Sequence, residues 1–146
     1  MLLDSILSSG ALPSLEQSIR FAAGRQKLIA HNIANISTPN FQQKDVAPED
    51  FQAWLADAIA DRRKRTGGMH GELHTKPTRQ IRRLPDGRLE LDPRTPVGGI
   101  LAHDRNNRDL EQLMQDMTEN LSAYRLATDL MRSQMDILRV SITQRV

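Results

Sequence analysis

From Leu110 to Ile142 one row of side chains returns at alternating steps of four and three residues: Leu110, Met114, Met117, Leu121, Tyr124, Thr128, Met131, Met135, Leu138 and Ile142. A helix keeps such a heptad repeat on one side only by lying against another helix, so the row reads as the seam of a coiled coil or bundle. Leu113, Leu126, Leu130 and Ile137 broaden it on one flank. No glycine or proline falls between Asp109 and Val146, and Asp109 with Gln112 is placed to cap the start. The predicted helix is ~55 Å long, against a usual length of roughly three or four turns. It demands a partner.

The other end of the chain offers one. Leu15, Ile19, Ala22, Gln26, Ile29, Ile33 and Ile36 follow the same alternation, with Arg20, Arg25 and Lys27 off the row. Ser14 followed by Gln17 reads as a capping box, which predicts a helix from about Leu15 to Asn35, ~30 Å long. Gln26, polar within the apolar row, either sets the register of the pair or faces solvent. The expected fold is therefore mainly α, with long N- and C-terminal helices paired as an antiparallel coiled-coil-like core. Residues 15–36 should pack on 109–142, with Ile29, Ile33, Met117, Leu121, Tyr124 and Met131 lining the seam. The C-terminal helix exceeds its partner by several turns. Its surplus has to be covered by residues 1–13, by other subunits, or by both.

Between the two helices the pattern changes. Pro48-Glu49-Asp50 starts a short third helix with Phe51, Trp54, Leu55, Ala58 and Ile59 on one face, and it ends near Thr66-Gly67-Gly68 after a basic last turn. From Thr66 to His103 glycine, proline and charge dominate. A small β-hairpin is possible at Gln80–Leu84 and Arg88–Leu91 around Pro85-Asp86-Gly87, and the rest reads as irregular and partly disordered. The expected organisation is a flexible segment at 1–14, a core helix and turn at 15–41, a variable insert at 42–103 and a core helix at 104–146.

Composition narrows the function. Aromatic residues make up only 3% of the chain, so aliphatic and Met side chains must supply most packing, as in bundles. Cysteine is absent, which removes disulfides and thiolate metal sites. A net charge of +2 does not require nucleic acid or membrane. No apolar run reaches the ~18 residues of a membrane span. Asp4 and Ser5 interrupt Leu2, Leu3, Ile6 and Leu7, so the N-terminus does not read as a cleaved signal peptide.

The first helix runs into a turn. Thr38 precedes Pro39 and is pushed out of the α region, so the helix should stop between Asn35 and Ser37. Asn40 suits the left-handed conformation that such a turn often needs. Asn32 and Asn35 stand one turn apart beside the helix end, where their amides can bond orphan carbonyls or a neighbouring chain.

The stretch His31-Asn32-Ile33-Ala34-Asn35-Ile36-Ser37-Thr38-Pro39-Asn40-Phe41 resembles the Asn-Asn-Ile-Ala-Asn-x-x-Thr-Pro-Gly-Tyr signature of the bacterial flagellar rod and hook axial proteins. It departs from that signature at His31, Asn40 and Phe41. Asp104 to Leu110, then Glu119-Asn120 with Tyr124, Ala127, Leu130 and Leu138-Arg139, is similar to the ending of a proximal rod subunit in that family. The chain's length also fits the short rod proteins better than subunits with large central β-domains.

The resemblance implies a structural subunit of the proximal rod, or otherwise another short rod protein. Such a subunit assembles helically through its terminal helices, transmits torque across the periplasm as part of the basal-body rod, and is exported by the flagellar type III apparatus without a cleaved signal peptide. Implied partners are other rod subunits, the FliE adaptor, the membrane ring, the export gate and other copies of itself. No cofactor, nucleic acid or small-molecule substrate is implied. The core and interface positions expected on this reading are Ile19, Ile29, Asn32, Ile33, Asn35, Thr38, Pro39, Met117, Leu121, Tyr124, Met131, Met135, Leu138 and Ile142.

Rival chemistry is thin. His70 and His74 flank Glu72, but the order is wrong for a His-Glu-x-x-His zinc helix and the nearby glycines oppose one. Asp104 to Asp109 alternates oxygen ligands without the glycine and final glutamate of a calcium loop. The basic clusters Arg62–Arg65 and Arg79–Arg83 leave a nucleic-acid-binding coiled coil as an alternative, though no stacking aromatics accompany them.

Overall fold

The computed structural model describes residues 10–68, 70–95 and 110–143. In chain order these form helix α1 (Leu12–Ala34), helix α2 (Pro48–Thr66), strands β1 (Ile81–Arg83) and β2 (Leu89–Leu91), and helix α3 (Leu110–Thr143). The mainly helical architecture, the pairing of the terminal helices and the central hairpin all match the expectation from sequence.

Helix α1 begins earlier than its capping signals suggest. Pro13 occupies the first turn, where its fixed φ and missing N–H cost nothing, and Ala11 precedes the helix without a side-chain cap. Ser14 lies inside the first turn, its Oγ donating to the Ala11 carbonyl at 2.7 Å. Gln17 is buried and does not reach back. The capping box therefore does not form, because proline starts the helix first. The cap expected at Asp109 falls outside the described residues.

Helix α2 has the ends its sequence predicts. Glu49 and Asp50 sit at its positive end and Arg63, Lys64 and Arg65 at its negative end. Gly67, at φ 67°, closes it with its N–H donating to the Arg63 carbonyl at 2.9 Å.

The hairpin pairs Ile81 with Leu91, Arg82 with Glu90 and Arg83 with Leu89. Its turn is closed by the Leu84 N–H on the Arg88 carbonyl (2.8 Å) and the Gly87 N–H on the Leu84 carbonyl (2.9 Å). Gly87 takes φ 83° and lies against the Arg20 guanidinium, which donates to its carbonyl, so a side chain there meets backbone strain and displaces the flexible end of Arg20.

A core forms where α1, α2 and the hairpin meet. Phe21 and Phe51 stack with ring centroids 4.1 Å apart, and Trp54 follows at 5.7 Å from Phe51. Val46 and Ile81 complete the buried cluster, with Leu28, Leu55, Leu89 and Leu91 around it. The Trp54 indole donates to the Lys76 carbonyl at 2.7 Å, which fastens the segment after α2 along that helix. Three of the chain's five aromatic side chains thus gather in one place. The glycine- and proline-rich middle contributes more to the core than its composition suggests.

On another side of α1 lies α3. Leu113, Asn120 and Ala127 are its buried residues, one heptad apart, with Met117, Leu121, Thr128 and Met131 half-buried beside them. Leu15 and Leu130 line the same groove near one end of the pair, while Arg25 and Asp116 meet further along, so the two helices run antiparallel.

Candidate functional site

Polar groups fix the register of the α1–α3 seam. The Asn120 amide donates to the Ala22 carbonyl at 2.9 Å and to Gln26 Oε1 at 2.8 Å. Gln26, the polar break in the first apolar row, therefore faces α3 rather than solvent. A polar pair in an apolar seam is satisfied in one alignment only, which is how such residues specify register.

A second lock involves Arg25, only 5% exposed. Its guanidinium bonds both carboxylate oxygens of Asp45, at 2.7 Å for the shortest contact, and stands 3.8 Å from Asp116 on α3. Asp45 in turn pairs its backbone with Arg94 in both directions, at 2.9 and 3.0 Å, and its carboxylate accepts the Val46 N–H at 2.8 Å. One buried cation thereby joins α1, the segment after it and α3. Removing Asp45 leaves this buried charge with only the 3.8 Å contact to Asp116 in a poorly hydrated place.

The Asn-rich turn is held from within the chain. Asn32 pairs with the Lys44 backbone both ways, Nδ2 donating to the carbonyl at 2.8 Å and Oδ1 accepting the N–H at 3.1 Å. This folds the segment after the turn back onto α1. Asn35 Nδ2 donates to the His31 carbonyl at 2.9 Å, satisfying a helix-end acceptor. The Thr38 N–H then reaches the Asn35 carbonyl and the Phe41 N–H the Thr38 carbonyl, at 2.9 and 3.2 Å. Asn40 takes φ 59°, the left-handed conformation its type tolerates. Thr38 and Pro39 are exposed, and the His31 and Phe41 rings lie 5.5 Å apart.

The remaining positions expected at the core or interface divide by depth. Ile29 is fully buried, while Ile19, Ile33, Met117, Leu121, Met131 and Leu138 are half-buried. Tyr124, Met135 and Ile142 are exposed. The outer face of α3 also bares Leu126 (62% exposed), Leu130, Ile137 and Val140. Beyond Met131 the helix outruns α1 and shows apolar side chains around much of its girth. An apolar groove of about 410 Å³ opens alongside, between α2 and α3, with α1 as its floor.

Periodicity found the rows but missed Arg25, Asp45, Asn120 and Arg62. Only Gln26 signalled the polar seam, by breaking the apolar row. Arg62 is a buried cation whose Nη2 donates to the Gly10 carbonyl at 3.0 Å while Nε and Nη1 have no partner among the described residues. Burial, with Arg63 close by, pushes its pKa down from the ordinary arginine value.

Among the described residues no group of His, Asp or Glu side chains is arranged to hold a metal, and no helix is long and apolar enough to cross a membrane. The fold and surface define a mainly helical protein with paired terminal helices, a small central core and one long helix left bare at its end. No protein-family model matches the chain. It is 32% identical over 119 residues to the flagellar basal body rod protein FlgB of Borrelia hermsii, covering 73% of this chain and 76% of that one. The FlgB of Proteus mirabilis (strain HI4320) is 28% identical over 88% of this chain and 90% of its own, and that of Bacillus subtilis (strain 168) 27% identical over 94% and 96%. The chain belongs to the flagellar basal body rod protein FlgB family.

Proposed function

We propose that this chain is a structural, non-enzymatic subunit of the flagellar basal-body rod, at its proximal end, and that it assembles helically through its terminal helices to carry torque across the periplasm. The observation that carries the reading is the bare end of α3. Met135, Ile137, Val140 and Ile142 are 39–56% exposed on a helix that continues past its intramolecular partner. Exposed apolar surface of this extent marks an interaction site, and a contact between unlike patches repeats into an open helical array. Family membership points the same way, because every relative reported above carries the name of a basal-body rod protein. The partners on this reading are other rod subunits, the FliE adaptor, the membrane ring and the flagellar export gate. Export runs through the flagellar type III apparatus without cleavage of a signal peptide.

The test is complementation of a strain lacking its own copy, followed by cross-linking in isolated basal bodies. The wild-type chain should restore motility and cross-link to a rod subunit or the membrane ring. Ile33→Asp or Leu121→Asp, each placing a charge at a half-buried seam position, should abolish rod assembly. Normal rods in either variant refute the seam. Failure of the wild-type chain to enter basal bodies refutes the role.

A further inference from the structure

We propose that the groove between α2 and α3 receives the far end of α3 from a second copy of this chain. The inference rests on the assembly reading above and names the two surfaces that meet. The groove is floored by Leu15 and Phe21 of α1, with Leu55 of α2 on one wall and Leu126 and Leu130 of α3 on the other. Leu126 and Leu130 are 62% and 47% exposed, so the wall is apolar and open. Three helices around an unfilled apolar channel are one helix short of a four-helix bundle.

Length and direction select the occupant. The groove follows α3 from Glu119 to Leu130, about 17 Å of helix at about 1.5 Å per residue. The overhang from Met131 to Thr143 measures about 20 Å by the same rise. The fit cannot be made within one molecule. Leu130 ends the wall where the overhang begins, and α3 runs on through Thr143 with no glycine or proline to turn it back. Groove and overhang therefore meet between copies, and because they are different patches the contact leaves one of each free to continue the array. Charge agrees. Arg132 and Arg139 on the overhang are 76% and 80% exposed and outnumber its Asp136, while in the groove lining Arg25 is already paired with Asp45 and leaves Glu119 at the lip.

The chain has no cysteine, which makes the test direct. Full-length Gln52→Cys, at the groove, and Ile137→Cys, on the overhang, are mixed at high concentration under mild oxidation. The mixed disulfide dimer should predominate over either same-variant dimer, and a chain carrying both cysteines should give a ladder of higher oligomers. Adding Leu130→Arg should abolish the cross-link without lowering the melting temperature. Same-variant dimers alone, or no disulfide at all, overturn the pairing. So does an intramolecular cross-link from Ile6→Cys to Gln52→Cys that excludes Ile137→Cys, since the chain's own N-terminal residues then fill the groove. Incorporation of the uncross-linked chain into basal bodies is scored in parallel, so loss of this pairing is told apart from loss of the rod role.

Discussion

Two regions of the molecule use apolar residues in opposite ways. In the first, Phe21, Val46, Phe51, Trp54 and Ile81 are brought together from α1, the segment before α2, α2 and the hairpin, and all are less than a tenth exposed. In the second, beyond Met131, α3 presents Met135, Ile137, Val140 and Ile142, all more than a third exposed. The core region has no sustained repeat and packs completely. The helix end has a strict repeat and, among the described residues, leaves most of its apolar side chains exposed. Periodicity therefore reports that a helix needs a neighbour, while burial reports whether the chain itself supplies it.

The contrast can be broken first at the core. Trp54→Ala removes the ring packed on Phe51 and the bond to the Lys76 carbonyl, and should cost about 3–5 kcal/mol in denaturant unfolding. A loss below about 1 kcal/mol would mean that the hairpin and α2 do not form the stable unit described.

The seam should respond next. Asn120→Leu leaves Gln26 Oε1 without its donor and should destabilise by roughly 1–3 kcal/mol. Adding Gln26→Leu should recover most of that loss, because two apolar side chains replace two matched polar ones. The double variant then separates stability from register: it should fold as tightly yet assemble into rods less faithfully. If the double variant loses as much as the two singles together, the amides do not form a pair.

A smaller effect belongs to the hairpin turn. The Asp86 carboxyl is held below the usual carboxylate range, first by the Arg88 backbone N–H and then by the Arg88 side chain. A depressed carboxylate stabilises the fold above its ordinary titration range, and that contribution fades as pH falls through the lowered value. Asp86→Ala should flatten the acid limb of the hairpin's stability profile by slightly lowering stability at neutral pH, and leave stability at low pH nearly unchanged. An identical acid limb in wild type and variant would remove the turn from the account.

Ile137→Ser, in the second region, should change the unfolding free energy by less than about 0.5 kcal/mol, as an exposed substitution does. It should still impair rod assembly. A large stability loss would place Ile137 inside the folded chain and erase the comparison.

The same division shows what was legible in the sequence. The terminal helices, the third helix, the hairpin and the left-handed Asn40 all rest on local signals: heptad rows, glycine and proline stops, and turn residues. The antiparallel pairing followed because two rows of one period needed each other. The locks did not follow. Arg25 with Asp45, Asn32 with Lys44 and Asn120 with Ala22 join residues far apart in sequence, and nothing periodic announces them. Ser14 shows the limit of a local signal, since the neighbouring Pro13 started the helix before a cap was needed. At the turn, the asparagines were readable as helix-end residues, but only the fold shows Asn32 folding the chain back onto α1.

The central claim is that α3 is one helix in two environments, and amide hydrogen exchange along it tests this most directly. In the isolated chain, amides around Leu113 to Ala127 should be protected by packing on α1, and those from Met135 to Thr143 should exchange much faster. In the assembled rod the far segment should gain protection equal to the near one. Equal protection along the whole of α3 in the isolated chain, or fast exchange of its end in the rod, would contradict the account.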